Sequence, residues 1–194
     1  MQDSPSRLFA QLVAIAGAPL PGEAEFRADL TFRVFERGTT IFHQGQSDGR
    51  IRLVVSGYLK LAYESARGRR HTKSVLEPGD VFASIVAMGG GEASFSAVAL
   101  TRCELEQAPW RTLENLAARH HAWETVFRKL LTGYAQRKEQ REFEFLTMSA
   151  AERWSRLNAS RPGLVEHLPQ SELAALIGVT PVGLSRLKHR LARA

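Results

Sequence analysis

The sequence predicts an α+β chain: an antiparallel β sandwich or barrel, then one long helix, then a small all-α unit. Three observations predict this. Between about Phe32 and Glu106, short apolar runs are punctuated by glycine and alternate with period two. From His120 to Met148 there is no proline and one glycine, Gly133, and apolar residues fall at helical spacing. From Ser149 onward the chain reads as short, capped helices. The boundaries that follow are 1–119, 120–148 and 149–194.

The stretch Leu8 to Ala18 reads as an amphipathic or buried helix. Arg7 stands alone after Asp3, so it supplies no basic lead and a secretory signal is not expected. Alternation then appears in Ile51, Leu53 and Val55, again in Leu59, Leu61 and Tyr63, and again in Phe95, Ala97, Ala99, Cys103 and Leu105. Gly38, Gly45, Gly57, Gly68 and Pro78-Gly79 are the turn sites. Gly89-Gly90-Gly91 reads as a flexible loop or as a nest of N–H groups for an anion. A helix of roughly 28 residues from His120 would be about 40 Å long, more than a small barrel needs along its side. Its stripe of Trp123, Phe127, Leu130, Leu131 and Tyr134 is interrupted by the polar run at 136–142 and resumes at Phe143, Phe145 and Leu146. Those first five residues form a candidate dimer seam; the alternative is a helix packed wholly on its own barrel. Ser149 and Glu152 have the spacing of a capping box, Trp154 and Leu157 supply a buried face, and Arg161-Pro162-Gly163 is read as a stop.

Composition narrows the function. Of the residues, 44% are hydrophobic and 24% charged, ordinary for a folded globular protein. No apolar run is long enough for a membrane span, and no membrane partner is expected. Cys103 is the single cysteine and sits on an alternating strand, so it is expected to be buried and inert; an intrachain disulfide, a zinc knuckle and a cysteine-held cluster are excluded, and a cytoplasmic location fits. His43, His71, His120, His121, His167 and His189 form no ligand pattern, so no metal and no cofactor are predicted. No nucleophile triad, phosphate loop or other catalytic signature appears, and the chain does not read as an enzyme. The net charge of +6 is uneven: residues 1–149 carry 19 basic and 17 acidic groups, and residues 150–194 carry 7 and 3. No acid follows Glu172, whereas Arg186, Lys188, Arg190 and Arg193 do. A basic terminus on a balanced body is either a solubilising tail or an electrostatic footprint for nucleic acid.

The terminal segment points to nucleic acid, the alternative being an ordinary helical hairpin. Pro169 precedes a helix over Gln170–Ile177, Gly178 sits where the turn needs a positive φ, Thr180 offers an N-cap hydroxyl, and Pro181 takes the first helical position. Ala174 is small where the two helices cross. Leu173, Ile177, Val179, Leu184, Leu187 and Leu191 form a shared core. The outer face then presents Pro181, Val182, Ser185, Arg186, His189 and Arg190, with Lys188 nearby. Such a helix enters a major groove, with arginine suited to guanine and lysine to phosphate. Gln170, Ser171 and Thr180 complete the candidate DNA-binding set.

The order GTTIFHQGQSDGRIRLVVSGYLKL, EPGDVF, SAVALTRCEL, a long helix and a terminal helix–turn–helix resembles the Crp–Fnr superfamily of bacterial transcription regulators over about Phe32 to Leu191. The resemblance implies a cyclic-nucleotide-binding-like barrel (a double-stranded β-helix), a dimerising helix and a homodimer on two-fold-related double-stranded DNA, with RNA polymerase as a further candidate partner. It places an effector pocket at Phe82, Ser84, Ile85, Ala93, Ser94 and Phe95. In cyclic-AMP-binding members a glycine–glutamate pair holds the ribose and a later arginine pairs with the phosphate; the matching positions here are Ala83, Ser84 and about Ala93. Val81 to Thr101 contains no lysine or arginine, so cyclic AMP is not expected to bind tightly and the effector is left unnamed. The early Arg-Glu of the cyclic-AMP receptor's reading helix is replaced by Pro181 and Val182; Arg186 matches its later arginine, so a different operator is expected. The chain ends at Ala194, which leaves no room for a hairpin wing and is expected to weaken affinity. The alternative function is a ligand- or partner-binding module whose helix–turn–helix has degenerated.

Overall fold

The computed structural model describes residues 6–192; Arg193 lies outside the described residues. The first element of the described residues is α1 (Arg7–Ala16). Its first turn is fastened to the body by one carboxylate: Glu106 accepts from Ser6 Oγ at 3.0 Å, from the Leu8 N–H at 2.8 Å and from the Arg7 N–H at 3.2 Å, while Ser6 Oγ accepts from the Phe9 N–H. A buried anion at a helix N-terminus is favourable because the free N–H groups converge there.

After α2 (Glu23–Ala28) come eight strands: β1 (Thr31–Phe35), β2 (Thr40–Phe42), β3 (Arg50–Ser56), β4 (Leu59–Glu64), β5 (Arg70–Leu76), β6 (Val81–Phe82), β7 (Ser96–Ala99) and β8 (Cys103–Pro109). They form two four-stranded sheets, ordered β1-β8-β3-β6 and β2-β7-β4-β5, and every pairing is antiparallel. Between the sheets, Phe42, Val54, Leu59, Leu61, Phe82, Phe95, Ala97, Ala99, Cys103 and Leu105 are buried together. The alternation at Phe95, Ala97, Ala99, Cys103 and Leu105 therefore marks the interior. At Gly57 (φ 83°), an added Cβ would overlap the Arg102 carbonyl, so the β3–β4 turn requires glycine.

β3 behaves differently from its pattern. Ile51 and Leu53 do not face the interior. They pack outward against helices, with Leu8, Leu12, Phe26, Leu113, Leu116, Trp123 and Val126, while Val54 faces inward. The strand is buried on both faces because α1, α2, α4 (Trp110–Ala117) and α5 (Ala122–Thr147) cover the first sheet. Arg52, also buried, is satisfied by a bidentate pair with Asp48 at 2.6 Å and by Gln107 Oε1 at 3.0 Å.

The third cluster holds the C-terminal helices. Ser149 and Glu152 make the reciprocal capping box at the start of α6 (Ala150–Ser160), and Trp154 and Leu157 are buried beneath it. Pro162 does not simply stop the chain: it occupies the first turn of a further helix, α7 (Pro162–His167), where its missing N–H costs no hydrogen bond. α8 (Gln170–Ile177) and α9 (Pro181–Leu191) follow. Leu164, Leu173, Ala174, Leu184 and Leu187 share this core with Val75 of β5, so the terminal helices pack against the second sheet. Leu191, expected in the core, is 40% exposed at the end of α9.

Candidate nucleic-acid interface and effector cavity

α8 and α9 form the helix–turn–helix. Gly178 ends α8 at φ 76°, and the Thr180 hydroxyl accepts from the Gly183 N–H at 3.0 Å to cap α9. Leu184 and Leu187 anchor the inner face, and the outer face is free of acid. Pro181, Val182, Arg186, Lys188, His189 and Arg190 are exposed, and Ser185 is half-buried. Among the described residues Arg186, His189 and Arg190 have no carboxylate partner. The Lys188 ammonium lies 5.3 Å from the Trp154 ring centroid, on the flank of the helix. Gln170 Nε2 donates to the Pro181 carbonyl at 3.3 Å, tying the starts of the two helices together; Ser171 is exposed beside it. The arrangement presents a convex, cationic helix face with its donors uncommitted.

The unit is docked onto the sheets by ionic contacts. Arg161 donates to Glu77 at 2.7 Å, to the Val75 carbonyl at 2.9 Å and to Asp80 at 3.4 Å. Lys60 of β4 pairs with Glu172 of α8 at 2.6 Å, and Tyr58 stacks on His167. The guanidinium groups of Arg141 and Arg153 lie 4.5 and 4.7 Å from the Phe145 ring centroid and also donate to the Leu176 and Ile177 carbonyls at the end of α8.

The expected effector pocket is only partly assembled. Phe82, Ile85 and Phe95 line a cavity of about 560 Å³ between the sheets and α5; Ser84, Ala93 and Ser94 do not. Ser84 is fully buried, and its hydroxyl is occupied, accepting from the Ala87 N–H at the start of the short helix α3 (Ile85–Met88) and from the Ser94 N–H. Ala93 is buried in the interior. The glycine run forms no anion nest, because the Gly89, Gly90 and Gly91 N–H groups donate to the Ile85, Ala87 and Val86 carbonyls. The cavity's cations come instead from residues that sequence reasoning missed: Lys73 of β5, Lys129, Arg137, Lys138 and Arg141 of α5, and Arg161 after α6, which is paired with Asp80. Burial, reinforced by Arg141, Arg137 and Lys138, pulls the Lys73 ammonium down to about 8. Those residues are remote from the cassette in sequence, and a lone lysine inside a strand gave no signal.

The residues expected at a dimer seam also divide. Trp123 cannot reach a partner: it is fully buried, stacked on Phe26, with its indole N–H donating to the Pro21 carbonyl. Phe127 meets Trp110 edge-on and Leu130 packs on the same cluster. Leu131 is 47% exposed and Tyr134 half-buried at the cavity mouth. Further along α5, Phe143 and Leu146 are exposed.

Comparison with known proteins places this architecture. The cyclic nucleotide-binding domain family matches residues 32–120. The cyclic AMP receptor protein of Thermus thermophilus is 32% identical over 189 residues, covering 91% of this chain and 86% of that protein. The chain belongs to the Crp–Fnr superfamily of transcription regulators. Among solved Crp–Fnr structures, the catabolite activator protein of Thermus thermophilus superposes with a TM-score of 0.54 at 26% identity, covering 95% of this chain and 83% of that one. FixK2 from Bradyrhizobium japonicum shares the fold with a TM-score of 0.69 at 17% identity, over 84% and 85% of the two chains. Among the described residues no helix is long and apolar enough to cross a membrane, and no group of three His, Cys, Asp or Glu side chains is placed to hold a metal ion.

Proposed function

We propose that this regulator acts as a homodimer in the cytoplasm, binding double-stranded DNA through α9, with RNA polymerase as a further partner. One observation carries the reading: α9 is capped and buried on one side and offers Val182, Arg186, His189 and Arg190, uncommitted, on the other. Arg186 reads a guanine edge and Val182 meets a thymine methyl, whereas Lys188 and Arg190 hold phosphates. Selection from a random duplex pool yields the operator. On that operator Arg186→Ala costs about 1–3 kcal/mol and relaxes specificity at one base pair, and Lys188→Ala weakens all sequences alike and lowers the salt slope by about 1. Equal binding by both variants and the wild type in a salt-titrated shift assay overturns the assignment and leaves a module with a degenerate helix–turn–helix.

The effector domain does not take cyclic AMP tightly in this reading, although the Thermus relative is named for that ligand. Val81 to Thr101 offers no cation for a phosphate, and the Ser84 hydroxyl is engaged in capping. Titration calorimetry on the full chain is expected to show no binding at micromolar cyclic AMP; a micromolar or tighter dissociation constant contradicts it.

A further inference from the structure

Lys73 is the residue at which β5 departs from regular pairing. Leu61 pairs with Ser74 and Ala62 with Thr72, so Lys73 has no partner on β4. Strict alternation would set it on the face of Val75, which packs against the terminal helices. A bulge re-aims the extra side chain, and the Lys73 ammonium instead lies 4.7 Å from the Phe95 centroid and 5.4 Å from that of Tyr134, inside the cavity. Among the described residues no carboxylate lies within 4 Å of it. Arg137, Lys138 and Arg141 line the same wall. Ile51, Leu61, Phe82 and Trp110 are among its apolar lining, and its one carboxylate among the described residues, Asp80, is paired with Arg161 at 3.4 Å. A volume of about 560 Å³ suits a small organic ligand rather than a single ion.

We infer that the cavity binds a small organic anion with an apolar ring, its negative group held by Lys73 and Arg141 rather than by the cassette around Ser84. Lys73 and Arg141 are partly buried and lose hydration, and the exposed Arg137 and Lys138 add to the repulsion on Lys73; an anion offsets both costs. Phe82, Phe95 and Trp110 supply the aromatic lining for a ring. The same Arg141 guanidinium donates to the Leu176 carbonyl at 3.2 Å, so an anion that draws it competes with a contact holding α8. Calling this ligand an effector rests on the regulator reading above; the binding itself does not.

The test uses the full-length protein without DNA. The probe is 8-anilinonaphthalene-1-sulfonate, an aromatic anion that fluoresces in apolar surroundings. Displacement is measured with 1-naphthoate, 1-naphthyl phosphate, neutral 1-naphthalenemethanol and cyclic AMP. Naphthoate or naphthyl phosphate is expected to displace the probe about tenfold or more better than the neutral alcohol, the size of a charge-assisted hydrogen bond. Whichever of the two is stronger identifies a carboxylate or a phosphate ligand. Lys73→Met, which keeps the apolar stem, is expected to cut that preference about threefold or more, Arg141 remaining. No probe enhancement by the wild type, equal displacement by the neutral alcohol, a preference undiminished in Lys73→Met, or cyclic AMP outcompeting both naphthyl anions overturns the inference. A failed DNA selection leaves this result intact, and a failed displacement leaves the DNA selection intact.

Discussion

Lys73 shows how a single side chain can carry a cost that the fold tolerates. Its ammonium lies over the Phe95 and Tyr134 rings, is partly stripped of water and is repelled by Arg141, Arg137 and Lys138. Below about pH 8 it is charged in both the folded and unfolded chain, and the full penalty applies. Between about pH 8 and the ordinary lysine value of 10.5 the unfolded chain binds more proton, so this group's contribution to stability rises with pH. Lys73→Met is therefore expected to stabilise the protein by about 1–2 kcal/mol at pH 7, allowing for solvent at the open mouth, and the gain shrinks toward pH 10. Urea denaturation at the two pH values measures this, and a variant no more stable at pH 7 contradicts it. Cys103 lies at the opposite extreme. It is fully buried, its thiol donates to the Tyr58 and Thr101 carbonyls, and burial pushes its pKa up, all of which make it inert, as the strand alternation leads one to expect.

Among the elements, the helix–turn–helix is the part most legible from residues alone. Pro169, Gly178, Thr180 and Pro181 are backbone punctuation, and each acts within a few residues of itself. α8 accordingly runs over Gln170–Ile177, the range the sequence predicts. Gly178 also has a role that local reasoning does not supply: a Cβ there would sit 2.5 Å from Phe145 Cε1. Gly178→Ala is expected to lose about 1–3 kcal/mol through its φ of 76° and this clash, read as a lower Tm in thermal denaturation. Phe145 reads from the sequence as resuming an apolar stripe. In the structure it is the platform on which Arg141 and Arg153 fasten the end of α8.

At the scale of the whole molecule, α5 does two jobs along its length. Its first turns close the chain's own core through Trp123 and Val126, and its later turns leave Leu131, Phe143 and Leu146 exposed. Leu131 and Leu146 lie within about 60° of one another around the helix, so one partner helix can cover both. Leu146 is 77% exposed, and its substitution by glutamate is expected to spare the fold while weakening self-association at least tenfold in sedimentation equilibrium. An unchanged dissociation constant in Leu146→Glu removes α5's later turns from the seam.

The sequence by itself determined the α+β class, the interior strands at Phe95–Leu105, the capping box at Ser149 and the two helices that end the described chain. These depend on periodicity and on φ preferences, which neighbouring residues set between them. Only the tertiary structure decided which face of β3 meets helices, that Trp123 is spent inside the protomer, and that Lys73 joins Arg137 and Arg141 around one cavity. Those outcomes depend on which elements lie against one another, and burial and charge repulsion take their size from neighbours that are distant along the chain.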